Sequence, residues 1–168
     1  GVGIVHEYGA SGCVIAGGFW SETDVPMHHL GSWQDGEWSP WPQAFSLTVN
    51  GGVRAVATVG PAFYVGGFGL LAPGSSTGRG LLGWEGSAWS DMGGGVNGSV
   101  NCLLGDGNRL YVGGSFKQAG TQAATNIAFW EDNQWMTLGD GLPDSVKALA
   151  VFQGQLIAAA SSASGPAY

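Results

Sequence analysis

Short apolar runs recur along the chain, alternating with small or polar residues and stopping at clusters of Gly, Asn, Asp or Ser. That period of two predicts short β-strands joined by turns, and nowhere does a helical period of 3.6 persist. Three runs end in a glycine pair: "CVIAGGF" from Cys13, "FYVGGFG" from Phe63 and "LYVGGSF" from Leu110. The pairs Gly17-Gly18, Gly66-Gly67 and Gly113-Gly114 stand 49 and 47 residues apart. Behind each follows a pair of tryptophans five apart: Trp33 and Trp38, Trp84 and Trp89, Trp130 and Trp135. "VRAVATV" from Val53, "VNCLLGD" from Val100 and "VKALAVF" from Val146 open successive units. Three landmarks in one register define an internal repeat of about 47 residues.

The repeat divides the chain into 1–52, 53–99, 100–145 and a partial unit, 146–168. Each full unit reads as four strands. In the third they are expected at Val100–Leu104, Arg109–Gly113, Asn126–Trp130 and Trp135–Leu138, with turn signals at "GDGN" and "EDNQ" and a longer loop between the second and third. The alanines of "SVKALAVFQGQLIAAA" suggest a helix, but alignment with "SVNCLLGDGNRLYVGG" makes the segment two strands. A four-stranded meander repeating at about 40 to 50 residues predicts an all-β chain of β-propeller blades, three complete and a fourth half present. Propellers have about four to eight blades. The expectation is therefore a part of a longer chain, or a ring completed by further copies or by a protein partner.

The order of apolar strand, Gly-Gly, variable loop and spaced aromatics resembles the kelch-type repeat. The phrase "LYVGGSFKQAGTQAATNIAFWEDNQWMTLGDGL" is more closely similar to repeats of secreted and cell-surface propellers, including the Rax2-like cortical polarity markers and many exported bacterial proteins. The resemblance spans nearly the whole chain and implies the fold; it implies an extracellular or cell-surface setting, and proteins sharing it differ widely in role.

Glycine supplies 32 of 168 residues and tryptophan 8, while only 10% are charged, a mix suited to strands and tight turns. The formal charge of -7 leaves Arg54, Arg79, Arg109, Lys117 and Lys147 scattered, so no basic patch points to nucleic acid. No apolar run approaches the about 18 residues of a membrane span, and no signal peptide opens the chain, so a soluble protein with any leader already removed is expected. Cys13 and Cys102 fall at non-equivalent positions of the repeat and read as separate thiols, with a disulfide as the alternative.

By strand direction, the first-to-second and third-to-fourth turns share one end of every unit, and they are short and alike. The second-to-third loops and the connections between units share the other end, and they vary. Variation on a constant scaffold marks that second face for binding. Its candidates are Trp20, Asp24, His28, His29, Trp41, Arg79 and Lys117. His28 and His29 with Asp24, Glu22 and His6 could converge on a metal, but adjacent histidines on a strand point apart, and a solvent-exposed loop end is the expectation. Galactose oxidase, a kelch-like propeller, implies copper held by tyrosines and histidines; here Tyr64 and Tyr111 occupy equivalent strand positions and read as packing residues. Asp35, Glu37, Glu85, Glu131 and Asp132 lie on short turns, where solvated surface is expected rather than an acid/base pair. GxSxG, HExxH, GxxxxGK and calcium-loop patterns are all missing.

The six paired tryptophans recur in every unit and read as packing rings. Trp20 and Trp41 break the pattern, which makes them the glycan-contact candidates. Asn97-Gly98-Ser99 fits an N-glycosylation acceptor in a connection, with a plain Asn-Gly turn as the alternative. Each glycine pair is expected where a neighbouring backbone or a tryptophan approaches closely; the matching positions of the last unit are taken as Ala158 and Ala159. The functional expectation is a non-catalytic scaffold without cofactor or metal, binding protein partners. A lectin-like propeller and a fragment of a galactose-oxidase-like enzyme are the alternatives.

Overall fold

The computed structural model describes residues 4–8, 12–16, 30–41, 45–77 and 79–161, and in 4–8, 12–16 and 46–50 the backbone alone. Every regular element among them is a strand. The first sheet runs β1 (Ile4–Tyr8), β2 (Gly12–Ala16), β3 (Leu30–Gln34), β4 (Glu37–Pro40). The second runs β5 (Ser46–Val59), β6 (Ala62–Leu71), β7 (Arg79–Trp84), β8 (Trp89–Ser90). In the third, β9 (Ser99–Asp106) and β10 (Arg109–Ser115) are followed by a small hairpin, β11 (Gln118–Ala119) and β12 (Gln122–Ala123). That sheet then closes with β13 (Ile127–Glu131) and β14 (Gln134–Thr137). A last sheet pairs β15 (Ser145–Phe152) with β16 (Gln155–Ser161). All pairing is antiparallel, and each four-stranded sheet keeps chain order, a meander.

The turns explain the local geometry. Asp35-Gly36, Asp132-Asn133 and Gln153-Gly154 all hold positive φ at both central positions, the two-residue hairpin whose twist matches that of its strands. Asn, Asp and Gly tolerate this conformation best, and the signals "QDGE" and "EDNQ" supply them. The alanine-rich tail is likewise a hairpin, so register with the other units predicts it where composition misleads.

Strand alternation then assigns the faces. In β6, Phe63 and Val65 join Leu30, Trp41, Phe45, Leu82, Trp84 and Trp89 in a core between the first and second sheets. Tyr64, one residue on, joins Ala55, Leu81, Val100, Leu110, Val112 and Trp135 between the second and third. A strand covered on both sides must be apolar at successive positions, which is why "FYV" and "LYV" do not alternate. Each Phe, Leu or Val fully buried in these cores contributes about 1.5–3 kcal/mol of transfer free energy.

The glycine pairs are close-approach points: the second glycine of each described pair meets a backbone, one of the two partners expected, and the first meets a valine where a tryptophan was the other. A Cβ on Gly66 would lie 2.5 Å from Val100 Cγ1, and one on Gly113 would lie 2.6 Å from Val146 Cγ1, so Val100 and Val146, each opening its unit, sit on the bare glycine of the unit before. The second glycine faces its own sheet: Cβ atoms on Gly67 and Gly114 would strike the carbonyls of Gly52 and Ser99, where the strand pairing slips by a residue. Gly17-Gly18 lies outside the described residues. Gly113 pairs with Cys102 and Ala159 with Ala148, so the alanines matching the pair are Ala159 and Ala160, as the alignment of the two 16-residue segments requires and one residue later than the Ala158 and Ala159 expected.

Candidate functional site

Asn126, Asn97 and Asn101 organise the end where connections and long loops meet. Asn126 is buried with φ of 63°; its Oδ1 accepts from Phe116 N at 3.2 Å and its Nδ2 donates to Leu142 O at 2.8 Å, tying the third sheet's long loop to the following connection. Asn97 Oδ1 accepts from Lys117 N at 2.9 Å and Gln118 N at 3.0 Å. Asn101 Nδ2 donates to Val146 O at 2.8 Å, while its Oδ1 accepts from the Arg54 guanidinium at 3.0 Å. Arg54 and Asn101 hold the same position in successive units, and Lys147 is the third member, so one row of polar side chains runs across the inner strands.

Around that frame the candidates scatter. Trp20, Asp24, His28 and His29 lie outside the described residues, as do Glu22 and the side chain of His6. Trp41 is 9% exposed and stacks on Phe63 at 4.9 Å between ring centroids, with Trp84 edge-on at 6.3 Å; it is a core ring, not the accessible glycan contact its break from the repeat suggested. Arg79 is half-buried beside the connection at Gly95, and Lys117 is exposed on the long loop, its backbone N–H donating to Asn97. Asn97 is exposed, with its amide oxygen committed to the loop and its Nδ2 the atom a glycan would take.

Chemistry-bearing groups do not converge. Among the described residues no group of three His, Cys, Asp or Glu side chains has metal-site geometry. Glu131 pairs with Arg109 at 3.0 Å, and Asp35, Glu37, Glu85 and Asp132 are exposed on their turns. Tyr64 and Tyr111 are both buried; burial, helped by the negative charge of Glu85, raises the Tyr64 phenol above its ordinary value. Cys102 is a free thiol pushed up to about 11 by burial, partly offset by a backbone hydrogen bond at Gly113, which makes it a poor nucleophile. No helix among the described residues is long and apolar enough to cross a membrane.

Two surface clefts are lined by described residues alone. One of about 310 Å³ lies at the short-turn end, lined by Pro61, Ala62, Glu85 and Gly86. The other, of about 260 Å³, has Trp130 and Trp135 as its floor and Gly93, Gly120, Thr121, Gln122, Asn133 and Gln134 as its walls. Sequence reasoning missed it because the third sheet's long loop does not stay at its own end. It folds back as β11–β12, bridging to Val96, and its tip at Gly120–Gln122 arrives beside the β13–β14 turn. The repeated "QA" on either side of Gly120-Thr121 is the signal for that hairpin.

No family profile matches the chain, and no curated protein matches it.

Proposed function

We propose that the chain is a run of kelch-like β-propeller blades of the secreted or cell-surface kind, acting as a non-catalytic scaffold that assembles through its end faces. Three meanders at about 47-residue spacing, stacked face on face with β5, β9 and β15 as neighbouring inner strands, support the propeller reading.

The observation that carries the scaffold reading is a seam split in two. Tyr64 and Tyr111 point toward the following sheet and are buried there; Ile157 holds the same position in β16 and is 48% exposed, and Phe152, on the same face of β15, is 64% exposed. At the opposite end Trp33 and Trp38 are 37% and 39% exposed, where Trp84 and Trp89 are 6% each. Leu30 turns into the second sheet, so Trp33, three residues on, faces the other way. One end therefore presents the leading half of a sheet-on-sheet seam and the other the trailing half. The occupant that fits both is a second copy, docked head to tail in continuation of the seams already inside the chain.

Sedimentation equilibrium tests this on the 168-residue chain. Concentration-dependent self-association that Phe152→Lys weakens at least tenfold is expected; a monodisperse 17.1 kDa monomer at every concentration would refute it. The extracellular setting predicts a glycan on Asn97 after passage through a eukaryotic secretory pathway, read by mass spectrometry, and an unmodified Asn97 would count against it.

A further inference from the structure

The cleft over Trp130 and Trp135 has an aromatic floor anchored in the core and neutral polar walls. Its openness is built into the connection before the third sheet. Met92, Gly93, Gly94 and Gly95 have φ of 53°, 65°, 96° and 57°, four residues running in the left-handed region, where glycine is nearly obligatory and side chains are strained. A connection with that path brings no rings to cover the tryptophans. Gly93 stands where any Cβ would approach the Trp130 ring at 3.8 Å, and it has none.

The floor and walls are held before any ligand arrives. Trp135 Nε1 donates to Met92 O at 2.8 Å, which fixes the indole, and Trp130 packs on it at 5.3 Å between centroids and 64° between planes. The hairpin tip is tied by Gly120 N to Gly95 O at 2.7 Å and by Gln118 Nε2 to Gly120 O at 2.9 Å. Facing each other across the floor are the exposed side chains of Thr121 and Gln122 on the hairpin and Asn133 and Gln134 on the turn. Three primary amides and a hydroxyl supply donors and acceptors in pairs, and no charged residue lines the cleft.

We propose that this cleft binds a neutral saccharide, one pyranose ring lying against Trp130 with its hydroxyls shared among Gln122, Asn133, Gln134 and Thr121. The C–H face of a pyranose matches an indole, and an amide carbonyl with its NH2 matches two neighbouring hydroxyls of a sugar. The volume, about 260 Å³, suits a single ring more than an extended ligand. A phosphate or carboxylate ligand would need a cation in the lining, and a chain of net charge -7 repels it further. The indole floor and the backbone of the hairpin tip, fixed by hydrogen bonds, lose little entropy on binding. The site lies within the third unit and its approach, so it depends neither on ring closure nor on self-association.

The test is a printed array of neutral and sialylated glycans probed with the whole chain, followed by titration with N-acetylglucosamine and with galactose, read by tryptophan fluorescence. Neutral glycans are expected to hold the protein. Trp130→Ala lowers the affinity tenfold or more; Gln122→Ala and Asn133→Gly, which keeps the positive φ of that turn, each lower it threefold or more with the thermal midpoint unchanged. Trp38→Ala, in the exposed pair of the first sheet, leaves it as it was. Should Trp130→Ala fail to fold, the two exposed substitutions decide. Retention of sialylated glycans alone, no retention of any glycan, binding that survives Gln122→Ala and Asn133→Gly together, or displacement of the sugar by a proline-rich decapeptide that binds more tightly would each overturn the proposal.

Discussion

The two complete seams of this molecule start from the same parts and end differently. Trp84–Trp89 and Trp130–Trp135 are matched pairs, with centroids 5.4 and 5.3 Å apart, on matched strands. Over the first pair the preceding connection lays Trp41 and Phe45, and Phe45 meets Trp89 edge-on at 5.0 Å, so the seam is closed with rings. Over the second it lays Met92 and three glycines, and a cleft remains. The strands thus set where a tryptophan sits, and the connection decides whether solvent reaches it. In a repeat protein the unrepeated segments carry the individuality.

The largest way to break this contrast is Trp41→Ala, which removes a buried ring from the closed seam. A loss of about 3–5 kcal/mol is expected, read from the midpoint of urea unfolding. Second in size, Gly113→Leu forces a side chain into the place of Val146 and should cost about 1–3 kcal/mol by overpacking, with the hairpin β15–β16 losing hydrogen-exchange protection first. Trp135→Phe keeps the ring in the open seam and deletes its bond to Met92 O, for about 1 kcal/mol, and it should loosen the cleft without opening the core.

The same contrast between buried and open positions extends to a titration. The folded Cys102 thiol lies near 11 against an ordinary value of 9.0, so the folded state favours its protonated form. That contribution is complete below pH 9 and lost as pH rises toward 11, and the buried Tyr64 phenol, also raised, acts in the same direction. Stability should be level to about pH 9 and then fall, with Cys102→Val falling less; an equal fall in the variant would assign the whole effect to Tyr64.

Much of the architecture is legible in the sequence, because the landmarks that repeat are those the backbone requires. Glycine pairs, opening valines and turn dipeptides all mark positions with one acceptable size or one acceptable φ. Their spacing predicts the strands of the third sheet to within two residues, and it overrides the helical look of "LIAAA". The backbone approach at the second glycine was legible; the valine on the first was not, since Val100 and Trp84 are both large, apolar and regularly spaced. The cleft was not legible either: it needs the long loop to fold back across its own sheet, a tertiary event that leaves in the sequence only the two short "QA" segments around Gly120. Trp41 shows the converse. An aromatic that breaks a repeat looks free for a ligand, yet here it is the ring that fills a seam.

The fit of valine on glycine also sets a rule for anyone who would rearrange these units. A copy of residues 100–145 grafted after residue 161 would bring Val100 against Ala159, whose methyl fills the place left empty at Gly66 and Gly113. Ala159→Gly would restore the socket. The succession of units is thus coded like a set of keys, one methyl group per cut, and a graft that opens with a valine fits this end only after that key is cut again.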